Sequence, residues 1–428
     1  MSLYLGIDFG TSGCRASVID AGQHVMAEAR MPLPPPQRSG SAVEQDPTTW
    51  WTALEAVLAK LQTRIALAGI RALCVDGTSS TLLICDAQGT PLAPALMYND
   101  TRAREAANQV AAVAPHDCAA HGASASLAKL LWLLQLPAAR HARHAMHQAD
   151  WVLGRLCGRF GNCDENNALK LGYDPGERRW PAWLAQLPIP AMLLPEVVPA
   201  GTDSGCIDPA MAAHFGLPPE TRIVSGTTDS TAGFIATGAV RGEAVTTLGS
   251  TLVLKVRSDT PVFAPGNGIY SHRLGDDWLV GGASNSGGAV LRQYFTDADI
   301  ARLTQQLHPD QPTGLDYYPL SASGERFPVN DPDLEPVLAP RPQEDTRFFQ
   351  GILEGIARIE VMGYRRLAEL GAPWPTRIIS TGGGAVNSAW RTIRSQQLGI
   401  PVVAADHQDA AYGTALLALR ATVDPAQT

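Results

Sequence analysis

The chain has 428 residues, 45% hydrophobic and 17% charged, with 41 acidic against 33 basic side chains and a formal charge of −8. Such a length suits about two or three compact units, with enough apolar surface to bury cores and too little charge for a disordered chain. The acidic balance offers no global basic field, so neither nucleic acid nor a membrane surface is an expected partner.

Cys14, Cys74, Cys85, Cys118, Cys157, Cys163 and Cys206 are scattered, with no C-x-x-C spacing. That pattern fits a reducing compartment and no structural zinc. The N-terminus enters an apolar strand pattern, Leu3 to Ile7, without a basic leader, and no apolar run approaches the ~18 residues of a membrane helix. The expectation is a soluble cytoplasmic protein.

Residues 3–20, LYLGIDFGTSGCRASVID, read as two strands joined by a glycine-rich turn open to a ligand. Asp46-Pro47 then starts a helix carrying Leu54, Leu58, Leu61 and Ile65 and ending at Gly69. RALCVDG, 71–77, is a buried strand, and LLICDAQGTPL turns at Gln88-Gly89. The alternation makes the class α/β. RIVSGTTDS, from 222, is a strand entering a polar turn, and GEAVTTLGSTLVLKVRS, 242–258, is strand, glycine turn and strand. GIDFGTSGCRASV and VTTLGSTLVLKV share one pattern, a weak internal repeat that suggests two related halves. Asp345 opens a long helix through Phe349, Ile352, Ile356, Ile359 and Leu367 to Gly371, followed by strand RIIS, the turn TGGG, a helix through Trp390 and Ile393, and strand IPVVAA. Proline-rich stretches at 32–37 and 327–342 read as surface loops.

Four sites carry chemistry. In Asp8-Phe9-Gly10-Thr11-Ser12-Gly13, glycines allow close backbone approach, N–H groups and hydroxyls suit phosphate oxygens, and the carboxylate suits hydrated Mg2+. A solvated hairpin turn explains this segment equally well. Thr247-Leu248-Gly249-Ser250-Thr251 repeats the arrangement and gains weight beside it. Gly382-Gly383-Gly384, with Asn387 at the mouth of a helix, allows a flat ligand against the backbone, and the adenosine reading is favoured over a tight turn. Asp229 in GTTDS suits a base that takes a proton from an alcohol, although read alone it is more simply a helix N-cap.

These sites, in this order, resemble the FGGY carbohydrate kinase family, within the larger group of actin, hexokinase and the heat-shock ATPases. GIDFGTSG, VEQDPTTWW (Val43–Trp51), YNDTR (Tyr98–Arg102), GTTDS, TLGST and STGGGAVNSAW are similar to the family's motifs over almost the whole chain. CVDGTSSTLLICD, SLAKLLW, NALKLGYDP, GASNSGGAVLRQYF and GLDYYPLSASGERFP look most like a short branch of D-ribulose kinases, also called xylulose-kinase-like. Xylulokinases carry a Gln-Met/Gln-His-Gly turn where this chain has Gly77-Thr78-Ser79-Ser80, which argues against D-xylulose.

The resemblance implies a duplicated ribonuclease-H-like fold of two domains with ATP in the cleft between them. It implies a sugar-binding domain over 1–236, a nucleotide-binding domain over 237–428, and a last helix, about 409–428, packed back on the first. Asp229 becomes the general base toward the terminal hydroxyl of a ketopentose, and Asp8 holds Mg2+ and the sugar. Thr11, Ser12 and Gly13 lie at the phosphates, with Ser12 also reaching the sugar. Gly249 and Ser250 lie on the other side of the phosphate chain. Gly383, Gly384 and Asn387 flank the adenosine, and Ser79 reaches the sugar. The expected reaction is D-ribulose to D-ribulose 5-phosphate from Mg-ATP by a monomer or homodimer. Its rivals are a D-xylulose or pentitol kinase and, outside enzymes, an ATP-dependent switch or sugar sensor.

Among other features, one of Trp50 and Trp51 is expected in the core, with the other toward solvent or substrate. The histidines of RHARHAMH, 140–147, read as a solvated loop or helix face without an acidic partner. Asp100 and Arg102 fit equally a sugar cleft or an ordinary ion pair.

Overall fold

A computed structural model of the chain describes residues 1–422. It contains two compact units, one formed by Met1–Ala236 with the segment beginning at Asp409, the other by Thr237–Gln408.

The first unit is built on strands β1 (Leu3–Phe9), β2 (Gly13–Asp20), β3 (Val25–Pro32) and β4 (Ile70–Gly77). After a small sheet containing β5 (Leu82–Cys85) and β6 (His144–His147), the chain adds β7 (Arg222–Val224) to the main sheet. The main sheet runs β3-β2-β1-β4-β7, with Asp203–Cys206 on the β7 edge. β1, β4 and β7 are parallel, and β2 and β3 are antiparallel. Every residue of β1 is buried, as expected of a central strand covered on both faces. Helix α1 (Thr48–Gln62) covers the sheet with Trp50, Leu54, Val57, Leu58 and Leu61. Its start is fixed by Asp46, whose Oδ1 accepts the Thr48 N–H at 2.9 Å. It ends at Gln62, earlier than the apolar spacing suggests, and Leu67–Gly69 is a separate 3₁₀ turn leading into β4. α2 (Ser126–Leu133), α3 (Gln148–Cys157) and α4 (Asp229–Ala236) are further helices of this unit, beside Arg104–Val113.

The second unit repeats the plan. β8 (Ala244–Leu248), β9 (Leu252–Ser258), β10 (Asp277–Ser284), β11 (Ile378–Thr381) and β12 (Val402–Ala404) form a sheet ordered β10-β9-β8-β11-β12, with Tyr270–Leu274 added beside β10. Strand order and direction match the first sheet position by position, so the weak sequence repeat corresponds to a duplicated ribonuclease-H-like sheet. Helices α5 (Asp345–Glu369) and α6 (Ser388–Leu398) pack on it through Ile352, Ile356, Leu367, Trp390 and Ile393. Between them, Glu360 and Arg394 form a fully buried two-pronged ion pair with both N···O distances 2.6 Å. Thr246 of β8 donates to Glu360, and Arg394 donates to Ser380 of β11. The two strands are thus tied by one satisfied polar network, whose breakage would leave a buried charge uncompensated.

Helix α7 (Ala410–Arg420) returns to the first unit and packs on β1, β4 and α4. Its closeness depends on missing side chains. A Cβ on Gly6 would lie 2.0 Å from the Ala411 carbonyl oxygen, and one on Gly413 would lie 1.9 Å from that of Ala232.

Of the Trp50-Trp51 pair, Trp50 lies in the core as expected, whereas Trp51 is buried as well instead of leaning toward solvent. Trp50 donates to Gln45 at 2.7 Å, and Trp51 donates to Glu55 at 2.9 Å beneath the Arg155 guanidinium. Among the described residues, no helix is long and apolar enough to cross a membrane.

Gly6→Ala should destabilise the chain by about 1–3 kcal/mol or more, since backbone must move to admit the methyl. Gly233→Ala on α4, where a Cβ meets nothing within 4 Å, should be neutral or stabilising by up to ~1 kcal/mol. Denaturant midpoints of the two variants check this contrast.

Candidate active site

Three carboxylates occupy the C-terminal ends of the three parallel strands of the first unit. Asp8 is paired with Asp76 across β1 and β4, Gly77 bridges to Thr228, and Asp229 follows as the first residue of α4. Crevices at the carboxyl ends of such strands are where open α/β sheets take ligands.

Asp8 and Asp76 are almost wholly buried. Burial pushes the Asp8 carboxyl up, against the pull of Arg15, whose guanidinium lies 2.8 Å from Oδ2. Asp76 is pushed well up by burial and by the Asp8 charge, with Asp229 adding to it. Thr414 of α7 donates to Asp76 Oδ2, while Oδ1 has no hydrogen-bond partner. Asp229 is half-buried, and its Oδ1 accepts the Ser230 N–H at 2.7 Å.

The loop after β1 holds Gly10 by an N–H bond to the Gly13 carbonyl at 3.0 Å, with Thr11 half-buried and Ser12 exposed. Its glycines differ in cause. A Cβ on Gly13 would press within 2.8 Å of the Met31 carbonyl oxygen, so packing against β3 requires that glycine, whereas Gly10 has only ordinary contacts.

In the second unit the same analysis divides the candidates. Gly382 has φ +79° and lies against Leu248, and a Cβ on Gly384 would meet the Trp390 ring at 2.6 Å. Gly383 faces open space and Gly249 has nothing closer than 3.6 Å, so the fold does not demand glycine at either. Ser250 is exposed. Asn387 caps α6 by accepting the Trp390 N–H at 2.9 Å and donates to Thr304 at 3.2 Å, so its amide has a structural task. The positions matching Asp8 and Asp76 are Thr247 and Thr381, paired in register with hydroxyls 2.8 Å apart. The second unit therefore keeps the loop and lacks the charge.

Beside the carboxylates, the Thr78–Thr81 turn is held from several directions. Gln148 Oε1 accepts from the Thr78 N–H and hydroxyl, each at 3.0 Å. Ser80 sits at φ +66°. Lys129, fully buried, donates to the Ser80 and Met97 carbonyls at 2.8 and 2.7 Å. Burial brings Lys129 down to about 7 despite the nearby Asp100 charge. The Ser80 hydroxyl, the Gln148 amide nitrogen and the Asn99 amide oxygen are buried without partners. Ser79 is half-buried on the same turn. Asp100 and Arg102 form an ion pair at 2.7 Å, with Arg102 also bonded to Glu44 and stacked over Trp132.

Sequence reading missed Asp76, Thr414, Lys129 and Gln148. Asp76 had a signal, an acid directly after the apolar run ALCV of its strand. Thr414 had none, since only tertiary packing of α7 brings it there.

Because Asp76 has a raised folded pKa, its protonated form is favoured by folding, and its contribution to stability is lost as pH rises above its unfolded value. Asp76→Asn should therefore gain stability over wild type as pH is raised from 4 to 7 in metal-free buffer, while losing activity. Urea unfolding at several pH values checks the sign.

Comparison with known proteins follows the duplicated fold. The chain is 24% identical to the xylulose kinase of Escherichia coli (strain K12), over 92% of this chain and 86% of that one. It is 27% identical to the glycerol kinase of Acidovorax sp. (strain JS42), over 98% and 90%. The crystal structure of a xyloylose kinase from Brucella ovis superposes with TM-score 0.87 at 25% identity, covering 99% of this chain and 91% of that one. Residues 3–236 match the N-terminal domain of the FGGY family of carbohydrate kinases, and residues 244–422 match its C-terminal domain. The chain belongs to that family and is an ATP-dependent carbohydrate kinase.

Proposed function

We propose that the chain phosphorylates a ketopentose, D-ribulose to D-ribulose 5-phosphate, with Asp229 as general base. The observation that carries this reading is the set of Asp8, Asp76 and Asp229 at three adjacent strand ends, beside buried polar atoms that lack partners. Buried polar groups are normally satisfied. The Ser80 hydroxyl, Gln148 amide and Asn99 carbonyl offer donors and acceptors suited to a polyhydroxylated substrate, and Ser79 and Ser12 add hydroxyls.

In this reading the first unit binds the sugar and the second the nucleotide. The terminal hydroxyl of the sugar gives its proton to Asp229 as its oxygen attacks the γ-phosphorus of ATP, and ADP leaves. Thr11, Ser12 and Gly13 bind phosphate oxygens, as do Gly249 and Ser250. The open space at Gly383 suits the adenosine, with Gly384 and Asn387 shaping its edge. Hard oxygen donors fit Mg2+, and the unpartnered Asp76 Oδ1 fits a cation held by Asp8 and Asp76. When bound, Mg2+ neutralises phosphate charge. The protein's own work is positioning and electrostatics, which dominate phosphoryl transfer.

D-xylulose is the second reading, favoured by the xylulose kinases among the relatives. Against it stands the Gly77-Thr78-Ser79-Ser80 turn, which departs from the Gln-Met/Gln-His-Gly turn of xylulokinases.

ADP release from Mg-ATP should be strongest with D-ribulose among D-ribulose, L-ribulose, D-xylulose, ribitol, gluconate and glycerol. Asp229→Ala should lower kcat about 10²–10⁴-fold, the usual range for a lost base. Equal release with every compound and with none would overturn the reading and favour an ATP-driven switch.

A further inference from the structure

The histidines at 140–147 do not form a solvated face throughout. His141 is exposed, but His147 ends β6 and is only 1% exposed, because β6 pairs with β5 and carries the chain inward. It also has the acidic partner that the run itself lacks. His147 Nδ1 lies 3.2 Å from Asp150 Oδ2, one turn into α3, and 3.5 Å from the Sγ of Cys163 in strand Asn162–Asp164. All three side chains are buried.

These separations match the edges of a metal tetrahedron. Bonds of about 2.0–2.1 Å to nitrogen, 2.0–2.2 Å to oxygen and 2.3 Å to sulfur give edges of about 3.3–3.6 Å. The other imidazole nitrogen, Nε2, lies 2.9 Å from the Ser126 hydroxyl, an outer contact of the kind that orients a ligating histidine. The charge balance points the same way. Asp164, beside Cys163, is also buried. Among the described residues, no lysine or arginine pairs with Asp150 or Asp164. A cavity of about 30 Å³ bordered by Asp150, Cys163, Asp164, Ser225 and Gly226 has room for about one water.

We propose that His147, Asp150 and Cys163 bind one divalent transition-metal ion, with a cavity water as fourth ligand. The mixed nitrogen, oxygen and sulfur set selects Zn2+ over Mg2+ or Ca2+. On binding, the Cys163 S–H bond ionises, its proton leaves to solvent and a sulfur–metal bond forms, with no change of oxidation state. The ion joins β6, α3 and strand Asn162–Asp164 directly around Gln148, the residue that holds the Thr78 turn. It is a structural brace, separate from the Mg2+ assigned to Asp8. The spacing rule that excluded zinc looks for cysteine pairs, and a site assembled from three separate elements escapes it.

The test uses the full-length chain without an affinity tag, stripped by chelator and titrated with Co2+. One equivalent should produce a near-ultraviolet thiolate-to-cobalt charge-transfer band and the intense visible bands of tetrahedral Co2+, both removed by one equivalent of Zn2+. Cys163→Ser should abolish the charge-transfer band, and His147→Gln should abolish the tetrahedral visible spectrum, with folding of each checked by circular dichroism. Only the weak visible spectrum of octahedral Co2+ from the wild type, or an unchanged charge-transfer band in folded Cys163→Ser, would overturn the proposal. The cluster would then be a hydrogen-bonded triad in which His147 donates to Asp150. The wild-type result decides even if a variant fails to fold.

Discussion

The first unit is organised around carboxylates that burial makes unfavourable. Asp8 and Asp76 face each other across a parallel ladder, with desolvation pushing both carboxyls up. Such a pair persists only where surrounding groups support it. Arg15 supports Asp8 from β2, and Thr414 supports Asp76 from α7. Thr414 reaches Asp76 because Gly6 and Gly413 let α7 come within backbone contact of β1 and α4. The last helix of the sequence is thereby part of the polar site made by the first strand, and the cost of the buried acids is one that a purely structural sheet has no reason to bear.

The second unit is an internal control for that argument. Its sheet has the same order and its β8–β9 hairpin keeps the glycine-hydroxyl loop, yet the two facing acids are replaced by Thr247 and Thr381, which satisfy each other. Threonines there show that the fold does not require carboxylates at those strand ends. Among the buried charged groups of this unit, Glu360 and Arg394 are fully paired beneath the strands that carry the two glycine loops. The first unit holds unpartnered polar atoms at Asp76, Ser80, Asn99 and Gln148, and the second holds sterically open glycines at Gly249 and Gly383.

Much of this was legible in the sequence because it is local. Strand, glycine turn and strand at 3–20 and 242–258 and the long helix from Asp345 follow from short-range pattern and turn chemistry. Asp229 stands out in its polar loop, and only the family resemblance gives it the role of base. What escaped depends on contacts distant in sequence. Lys129 reaches a carbonyl 49 residues away and Thr414 a carboxylate 338 residues away, and no periodicity encodes either. His147 was misread because its run is polar and basic, while its strand partner β5 carries it into the interior. Among the glycines, sequence marks the positions and only packing separates Gly13 and Gly384, which the fold requires, from Gly249 and Gly383, which it does not.

The most direct measurement is the fate of the phosphoryl group, followed by ³¹P NMR with the chain, Mg-ATP and D-ribulose. The account predicts a phosphomonoester resonance on the terminal carbon of the sugar, growing in step with ADP and absent when Asp229 is replaced by asparagine. Inorganic phosphate as the only product, formed at the same rate with and without sugar, would contradict it.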